Sequence, residues 1–205
     1  MLVHAAASAL PATWAAEIDP QLRANLAERL ARAQADVDAF EAQVWLAASE
    51  QRLRRFVADA DARLELLRLV HFEAAQQGLD PDLVLAVIEV ESAFDRFAVS
   101  VAGAQGLMQV MPFWRVEIGR ESDNLTDPAT NIRYGTVILA YYLARAQGDL
   151  VDALARYNGS TGQSHYPEKI VAAWLQTWRN RPLAEIPLLL DGCRRYPLRA
   201  CRALP

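Results

Sequence analysis

The stretch Gly78-Leu79-Asp80-Pro81-Asp82-Leu83-Val84-Leu85-Ala86-Val87-Ile88-Glu89-Val90-Glu91-Ser92 decides how the rest of the sequence is read. Glycine closes one helix, Asp80 caps the next, and Pro81 fills a first helical position where its missing N–H costs nothing. The body from Leu83 to Val90 is apolar on nearly every face apart from Glu89, so a helix predicted over Pro81 to about Ala93 belongs inside a core. Val84, Val87 and Ile88 form a stripe, and the next position of that stripe is Glu91. A carboxyl group therefore stands in a core position. Burial disfavours its charged form and raises its pKa, as a general acid working near neutral pH requires. A glutamate held by an arginine or by backbone amides, or a helix end emerging into solvent, would give the same pattern. Glu89 lies about 160° away around the helix, so the two carboxylates diverge and cannot flank one glycosidic bond as a pair. Asp95 reads as a solvated residue at the helix end.

Upstream, no glycine or proline interrupts the chain between Pro20 and Gly78. Leu22, Leu26, Leu30, Ala33, Val37, Phe40 and Val44 recur in steps of three and four, and Asp19-Pro20 supplies a cap and first turn for one long amphipathic helix. A second series, Leu53, Phe56, Val57, Ala60, Leu64 and Leu67, makes this one bent helix or a hairpin of two. Such a helical arm, residues 19–65, is either a coiled partner-binding element or a helix lying against the main domain. The second reading is preferred because the heptads lack ordered flanking charges. Downstream come a glycine-punctuated loop, Ser100 to Gly106, and helical stretches near Asn131 to Gln147, Asp149 to Tyr157 and Pro167 to Trp178. No stretch of comparable length alternates as a strand would, so the class is all-α. From Arg181 the composition turns to Pro, Leu and Arg without a period, and residues 181–205 read as a tail, poorly ordered or draped on the surface.

The 205 residues are 53% hydrophobic with mean hydropathy +0.01, enough for one good core plus flanking segments. A formal charge of −4 lacks the basic footprint of phosphate binding, which argues against nucleic acid as a partner. No apolar run approaches the roughly 20 residues of a membrane-spanning helix. The segment 1–18 is alanine-rich, but no Lys or Arg precedes its apolar stretch, so it reads as a degenerate or trimmed export signal or a loose terminus. Cys193 and Cys201 leave open a disulfide or two free thiols, and neither sits in a metal-ligand pattern with His. His71 begins His-Phe-Glu-Ala-Ala, without the second histidine of a zinc-binding helix, and His4 and His165 have no partners nearby in sequence. No metal or cofactor is expected. Serine nucleophile elbows and phosphate-cradling glycine loops are absent.

Together with the blocks downstream of it, Glu91-Ser92 resembles the soluble lytic transglycosylase family, whose catalytic glutamate is followed by serine at the end of a core helix. Ser100-Val101-Ala102-Gly103-Ala104-Gln105-Gly106-Leu107-Met108-Gln109-Val110-Met111-Pro112 is similar to that family's substrate-binding loop. Asp127-Pro128 with Asn131-Ile132, and Ala155-Arg156-Tyr157-Asn158-Gly159, match its later blocks in order. The resemblance spans about Leu66 to Trp178, making residues 66–180 the catalytic domain. One departure is that Asn158 is followed directly by Gly159, where the family usually inserts an alanine, which bears on the path of the next loop.

The resemblance implies a lysozyme-like, goose-type helical fold and a peptidoglycan lytic transglycosylase acting outside the cytoplasm, in the periplasm or cell envelope. Glu91 would be the single acid and base, and Tyr157 would reach toward it to stabilise charge. Ser92 would hydrogen-bond near the acid, Gln109 and Met111 would line the sugar groove, and Asn158 would hold local backbone or a sugar. Trp114, Trp174 and Trp178 are candidates for stacking on sugars, set against ordinary core roles. A hydrolytic muramidase on the same fold would need a second acid, with Asp95, Glu117 and Asp123 the candidates. A non-catalytic wall-binding or secretion-assembly subunit is the alternative from another class, and the intact Glu91-Ser92 argues against it.

Overall fold

A computed structural model describes residues 20–203. Asp19 and the segment 1–18 lie outside the described residues, as do the side chains of Leu22, Leu26 and Val37. The chain divides into two compact units, one ending at Val44 and one running from Trp45. Helix α1, Pro20–Leu53, begins at its proline and contributes to both. Within the first unit Arg32 pairs with Glu28, and Leu30, Phe40 and Val44 stand 71%, 66% and 53% exposed. The boundary at Val44 and Trp45 lies within α1, upstream of the division at 65 and 66 drawn from the span of the resemblance. Among the described side chains of α1, the buried ones are Trp45, Ser49 and Leu53, all past that boundary.

The second unit is built from helices. α1 ends at Leu53, and α2, Ala60–Gln76, starts after Asp59, whose carboxylate accepts from Ala62 N at 2.8 Å. Two helices, not one bent one, fill this region. Buried Arg63 seals the break, donating to the carbonyls of Val57 and Ala58 at 2.8 and 2.7 Å while its Nε reaches Glu50 at 2.8 Å. α3, Pro81–Ser92, follows its Asp80 cap and buries every residue from Asp82 to Ile88. The short α4, Trp114–Ile118, precedes α5, Pro128–Arg145, which Asp127 caps, and α6, Leu150–Tyr157, which Asp149 caps. α7, His165–Ala173, continues into a π-helical turn over Trp174–Trp178, two buried tryptophans that belong to the core rather than to a sugar site. The all-α expectation holds, and the described residues contain only isolated β-bridges at Val99, Gln105 and Val110.

α3 is held from behind. Asp82 accepts hydrogen bonds from Trp45 Nε1 (2.6 Å), Asn180 N (2.8 Å) and Asn180 Nδ2 (2.7 Å), binding α1, α3 and the chain beyond Trp178 into one node. Glu89 faces the same way, taking Trp178 Nε1 at 2.6 Å and Arg55 at 3.1 Å, which leaves Glu91 alone on its own side.

The tail is more ordered than its composition suggested. Residues Leu183–Glu185 form a 3-10 turn, α8 spans Pro187–Arg195, and Arg199–Ala203 form a last turn. Ile186, Leu189 and Leu198 are buried, and Cys193 and Cys201 form a disulfide. Much of the anchoring is polar. Tyr196 and Arg195 each reach Asp149 at 2.8 Å, and Glu168 accepts from Arg199 N and Ala200 N. The disulfide joins cysteines separated by 8 positions, for which chain entropy gives about 2–3 kcal/mol. Replacing both cysteines with serine is therefore expected to lower stability by that amount in urea unfolding, with the same loss in the wild type under reductant.

Candidate active site

Glu91 lies in the last turn of α3, and the chain turns sharply just beyond it. Ala93 and Phe94 have φ of 49° and 67°, left-handed values that cost non-glycine residues of order 1 kcal/mol or more each. Phe94 holds the turn by packing its ring against Phe56 and Trp178, with centroids 4.8 and 5.4 Å away. Helix α3 therefore stops where its carboxyl side chain reaches the edge of the core. Ser92 fastens that end to the following loop, its hydroxyl donating to the Leu107 carbonyl at 2.8 Å with the Ile88 carbonyl at 3.1 Å.

The loop from Ser100 to Pro112 is organised around one buried amide. Asn131 Oδ1 accepts from Met108 N at 2.7 Å, while its Nδ2 donates to Gln105 O and Leu125 O at 2.8 and 2.7 Å. Gly106, at φ 74°, lies so close that an added Cβ would meet Leu125 O at 2.4 Å and Asn131 Nδ2 at 2.5 Å. Met108 is buried against Gly135, where a Cβ would stand 2.4 Å from its sulfur. Gln109, at φ 47°, turns its amide inward to Gly106 O (3.0 Å) and Ala98 O (3.2 Å). Met111 is half-buried beyond it.

Two tyrosines complete the surroundings of the acid. Tyr166, in the first turn of α7, donates its hydroxyl to Glu91 Oε1 at 2.6 Å. Tyr157, the last residue of α6, donates to Met108 O at 2.7 Å. Tyr157 was expected to reach toward Glu91; its hydroxyl donates to the loop carbonyl of Met108, and the hydrogen bond to Glu91 comes from Tyr166. Tyr157 still stands within the field of Glu91. Burial and the negative charge of Glu91 hold both phenols well above their ordinary pKa, so they remain hydroxyl donors. Asn158 is exposed, and Gly159 at φ 75° supplies the left-handed turn that brings Ser160 N back to Ala155 O at 2.8 Å. The direct Asn158-Gly159 junction thus closes α6 cleanly and leaves Tyr157 in place. No side-chain hydrogen bond joins Asn158 or Met111 to Glu91 among the described residues.

Burial pushes the Glu91 carboxyl up to about 7, and the Tyr166 hydrogen bond opposes part of that rise. Among the described residues no arginine or lysine pairs with it, and no other acid contributes to its shift. A carboxyl group poised near neutrality can both give and take a proton. Asp95 accepts from Phe97 N, Asp123 is taken up by Tyr134 and Arg120, and Glu117 sits exposed on α4. Among the described residues no cluster of His, Cys, Asp and Glu could hold a metal ion.

The sequence profile of the Transglycosylase SLT domain family matches residues 68–173, just over half the chain. The chain belongs to that family. Glu91, the Asn131-centred loop, Tyr157 and Tyr166 all fall inside the matched SLT domain. The SLT region is similar to the "Transglycosylase" of Enterobacteria phage PRD1, 40% identical over 96 residues, covering 47% of this chain and 35% of that protein. It is also similar to the "Membrane-bound lytic murein transglycosylase C" of Actinobacillus pleuropneumoniae serotype 5b, 42% identical over 85 residues, 37% of this chain and 23% of that protein. The chain thus spans about a third or less of the length of these relatives. A solved structure of an inactive mutant of the lytic transglycosylase Slt from Pseudomonas aeruginosa superposes with TM-score 0.44 at 27% identity, over 72% of this chain and 24% of that one.

Tyr166 is the site residue that sequence reasoning missed. It precedes Pro167, where the sequence pattern starts the helix, so Tyr166 falls in a loop on that reading. The available signal was an aromatic residue beside a proline that pre-sets the helical first turn.

Proposed function

We propose that this SLT-domain protein is a peptidoglycan lytic transglycosylase that cleaves the β-1,4 bond between N-acetylmuramic acid and N-acetylglucosamine. The observation that carries the reading is the lone carboxyl of Glu91, raised to about 7 and bonded to a tyrosine instead of a cation. With Oε1 held by Tyr166, the acidic proton resides on Oε2. Glu91 gives that proton to the glycosidic oxygen as the C1–O bond breaks. The muramic acid C6 hydroxyl then attacks C1 and returns its proton to the Glu91 carboxylate, leaving a 1,6-anhydro ring and an enzyme ready for the next bond. The C6 hydroxyl takes the place of a water nucleophile, so no second acid is needed to activate one, in contrast to paired-carboxylate glycosidases.

Tyr166 and Tyr157 divide the remaining work. Tyr166 stabilises the carboxylate that exists between the two proton transfers, while Ser92 ties the loop bearing Gln109 and Met111 to α3, which bears the acid, and Tyr157 ties it to α6. A peptidoglycan substrate implies a site of action in the cell envelope, and the disulfide fits an oxidising compartment. The test is mass spectrometry of soluble products from purified peptidoglycan. Anhydro-muropeptides released by the wild type and not by Glu91→Gln are the expected result, and reducing-end products would make the protein a hydrolase.

The two tyrosines are separable by pH. The Tyr166 bond lowers the Glu91 pKa, so Tyr166→Phe is expected to move the alkaline limb of the pH–rate profile upward as well as slow turnover. Tyr157→Phe frees a carbonyl of the loop instead, and its expected effect is mainly on KM. Identical profiles for the two variants would remove this division of roles.

A further inference from the structure

The C-terminal tail grips the two helices that carry the tyrosines of the site, in each case near the start of the helix. Asp149 caps α6 with one carboxylate oxygen, which accepts from Val151 N and Asp152 N, and gives the other to the tail, accepting from Arg195 and from the Tyr196 hydroxyl at 2.8 Å. Glu168 stands in the first turn of α7, two residues past Tyr166, and its two oxygens accept from Arg199 N at 2.9 Å and Ala200 N at 2.6 Å. All four donors lie inside the loop that the Cys193–Cys201 disulfide closes, and Leu189 and Leu198 are buried to either side of them. These residues lie beyond the matched SLT region, which ends at 173.

The start of α7 has few other directional restraints. Ser164 makes no side-chain cap, and the exposed segment leading into the helix turns at Gly159 and Gly162, with φ of 75° and 82°. Ile170 and Val171 are buried, so the far half of α7 is placed by core packing. The near half carries the hydroxyl that donates to Glu91 Oε1 at 2.6 Å, and a hydrogen bond of that kind weakens steeply once it is misaligned. Burial of the Tyr166 ring keeps water out but is non-directional. The pair of backbone N–H groups on Glu168 is directional, and it acts half a turn from Tyr166.

We propose that Glu168 is a positioning residue: gripped by the disulfide-closed tail, it sets the first turn of α7 so that the Tyr166 hydroxyl stays on Glu91 Oε1. This rests on the reading of Glu91 as the acid and Tyr166 as its partner. The titratable groups acting with Glu91 are Tyr166 from α7 and Tyr157 from α6, Glu89 on its own helix is turned away to Trp178 and Arg55, and among the described residues no cation pairs with it. Because the Tyr166 bond lowers the Glu91 pKa, loosening the tail raises it and makes the carboxylate between the two proton transfers harder to form.

The test reads the Glu91 carboxyl directly, by NMR of the full chain labelled at its glutamate carboxyl carbons, with the Glu91 signal identified by its loss in Glu91→Gln. Its titration is followed on both sides of the wild-type value of about 7. Glu168→Ala, and separately Cys193→Ser with Cys201→Ser, are each expected to raise the midpoint by about half a unit, a large share of the roughly one unit that a single hydrogen bond is worth. In a Tyr166→Phe background, where the bond is already gone, Glu168→Ala is expected to add nothing, since two residues that act through one contact are not additive. A midpoint unchanged in Glu168→Ala, whatever happens to its melting temperature, overturns the proposal, because the tail would then only stabilise the fold. An equal rise with and without the Tyr166 hydroxyl overturns it too, because the effect would not pass through Tyr166. A wild type that released no anhydro products would remove the proposed activity, whereas the carboxyl titration would still decide the role of Glu168.

Discussion

Glu91→Gln is expected to abolish release of anhydro-muropeptides, by a factor of about 10² to 10⁴ for loss of the general acid and base, and to make the protein more stable at alkaline pH. Both effects come from one cause. Burial holds the folded-state pKa near 7, while the unfolded chain titrates near 4.5. Between those values the folded state binds the extra proton, so stability falls as pH rises from 4.5 through 7 and reaches its full penalty above that window. The difference corresponds to about 3 kcal/mol. Glutamine carries no charge to desolvate and keeps an oxygen for Tyr166. Its stabilising effect should therefore be near zero at pH 4, grow through neutrality, and level off above pH 8. Urea denaturation of both proteins at several pH values measures this directly. Equal pH dependence in the two would mean that Glu91 is well solvated or paired, and the argument for its acidity would fail with it. The wild-type pH–rate profile should lose activity on its alkaline side with an apparent pKa near 7, because the first step needs the protonated acid.

The same burial explains why Glu91 was legible in the sequence and its partner was not. An apolar stripe of Val84, Val87 and Ile88 ending in a carboxyl group is a local contradiction, and local contradictions on a regular helix can be read by counting residues. Asp80, Asp127 and Asp149 likewise announce their helices by short-range chemistry, each capping its own first turn. Tyr166 reaches Glu91 across 75 residues of sequence, and Asn180 reaches Asp82 across 98. Nothing local marks such pairs, because the contact depends on where α7 and the Trp174–Trp178 turn come to lie against α3. The tail escaped for a related reason. Its order comes from a disulfide and from hydrogen bonds to Asp149 and Glu168, which leave no periodic trace. In the loop, the resemblance carried by Gln109 and Tyr157 names residues on the loop and helix around Glu91, while the direction of each side chain follows from backbone geometry. At φ 47° Gln109 turns its amide into the loop, and the Tyr157 hydroxyl is drawn to the Met108 carbonyl.

Asn131→Leu should be the most damaging substitution outside the acid itself. The two side chains share branching and number of heavy atoms, so the change removes hydrogen bonds without opening a cavity, and methyl groups in place of contacts at 2.7 and 2.8 Å add crowding. Three buried backbone groups lose their partner at once: Met108 N–H and the carbonyls of Gln105 and Leu125. Each orphaned group costs about 1–3 kcal/mol, so a loss of about 4 kcal/mol or more is expected, a large share of the stability of a domain this size. Gly106→Ala attacks the same node from the other side. Its methyl group would enter the space of Leu125 O and the Asn131 amide in a left-handed backbone that alanine disfavours, and neither backbone nor a fully bonded amide can retreat cheaply. Both variants act on the segment that positions Met108 under Tyr157, so activity should fall further than the folded fraction does. The measurement is turnover per folded molecule, with folding followed by circular dichroism and products by chromatography. If Asn131→Leu lowers the melting temperature while the folded fraction keeps wild-type turnover, the loop would be a structural element only. If turnover falls in the folded fraction as well, the amide that anchors the loop is also what sets the distance between the acid's helix and the wall of the groove.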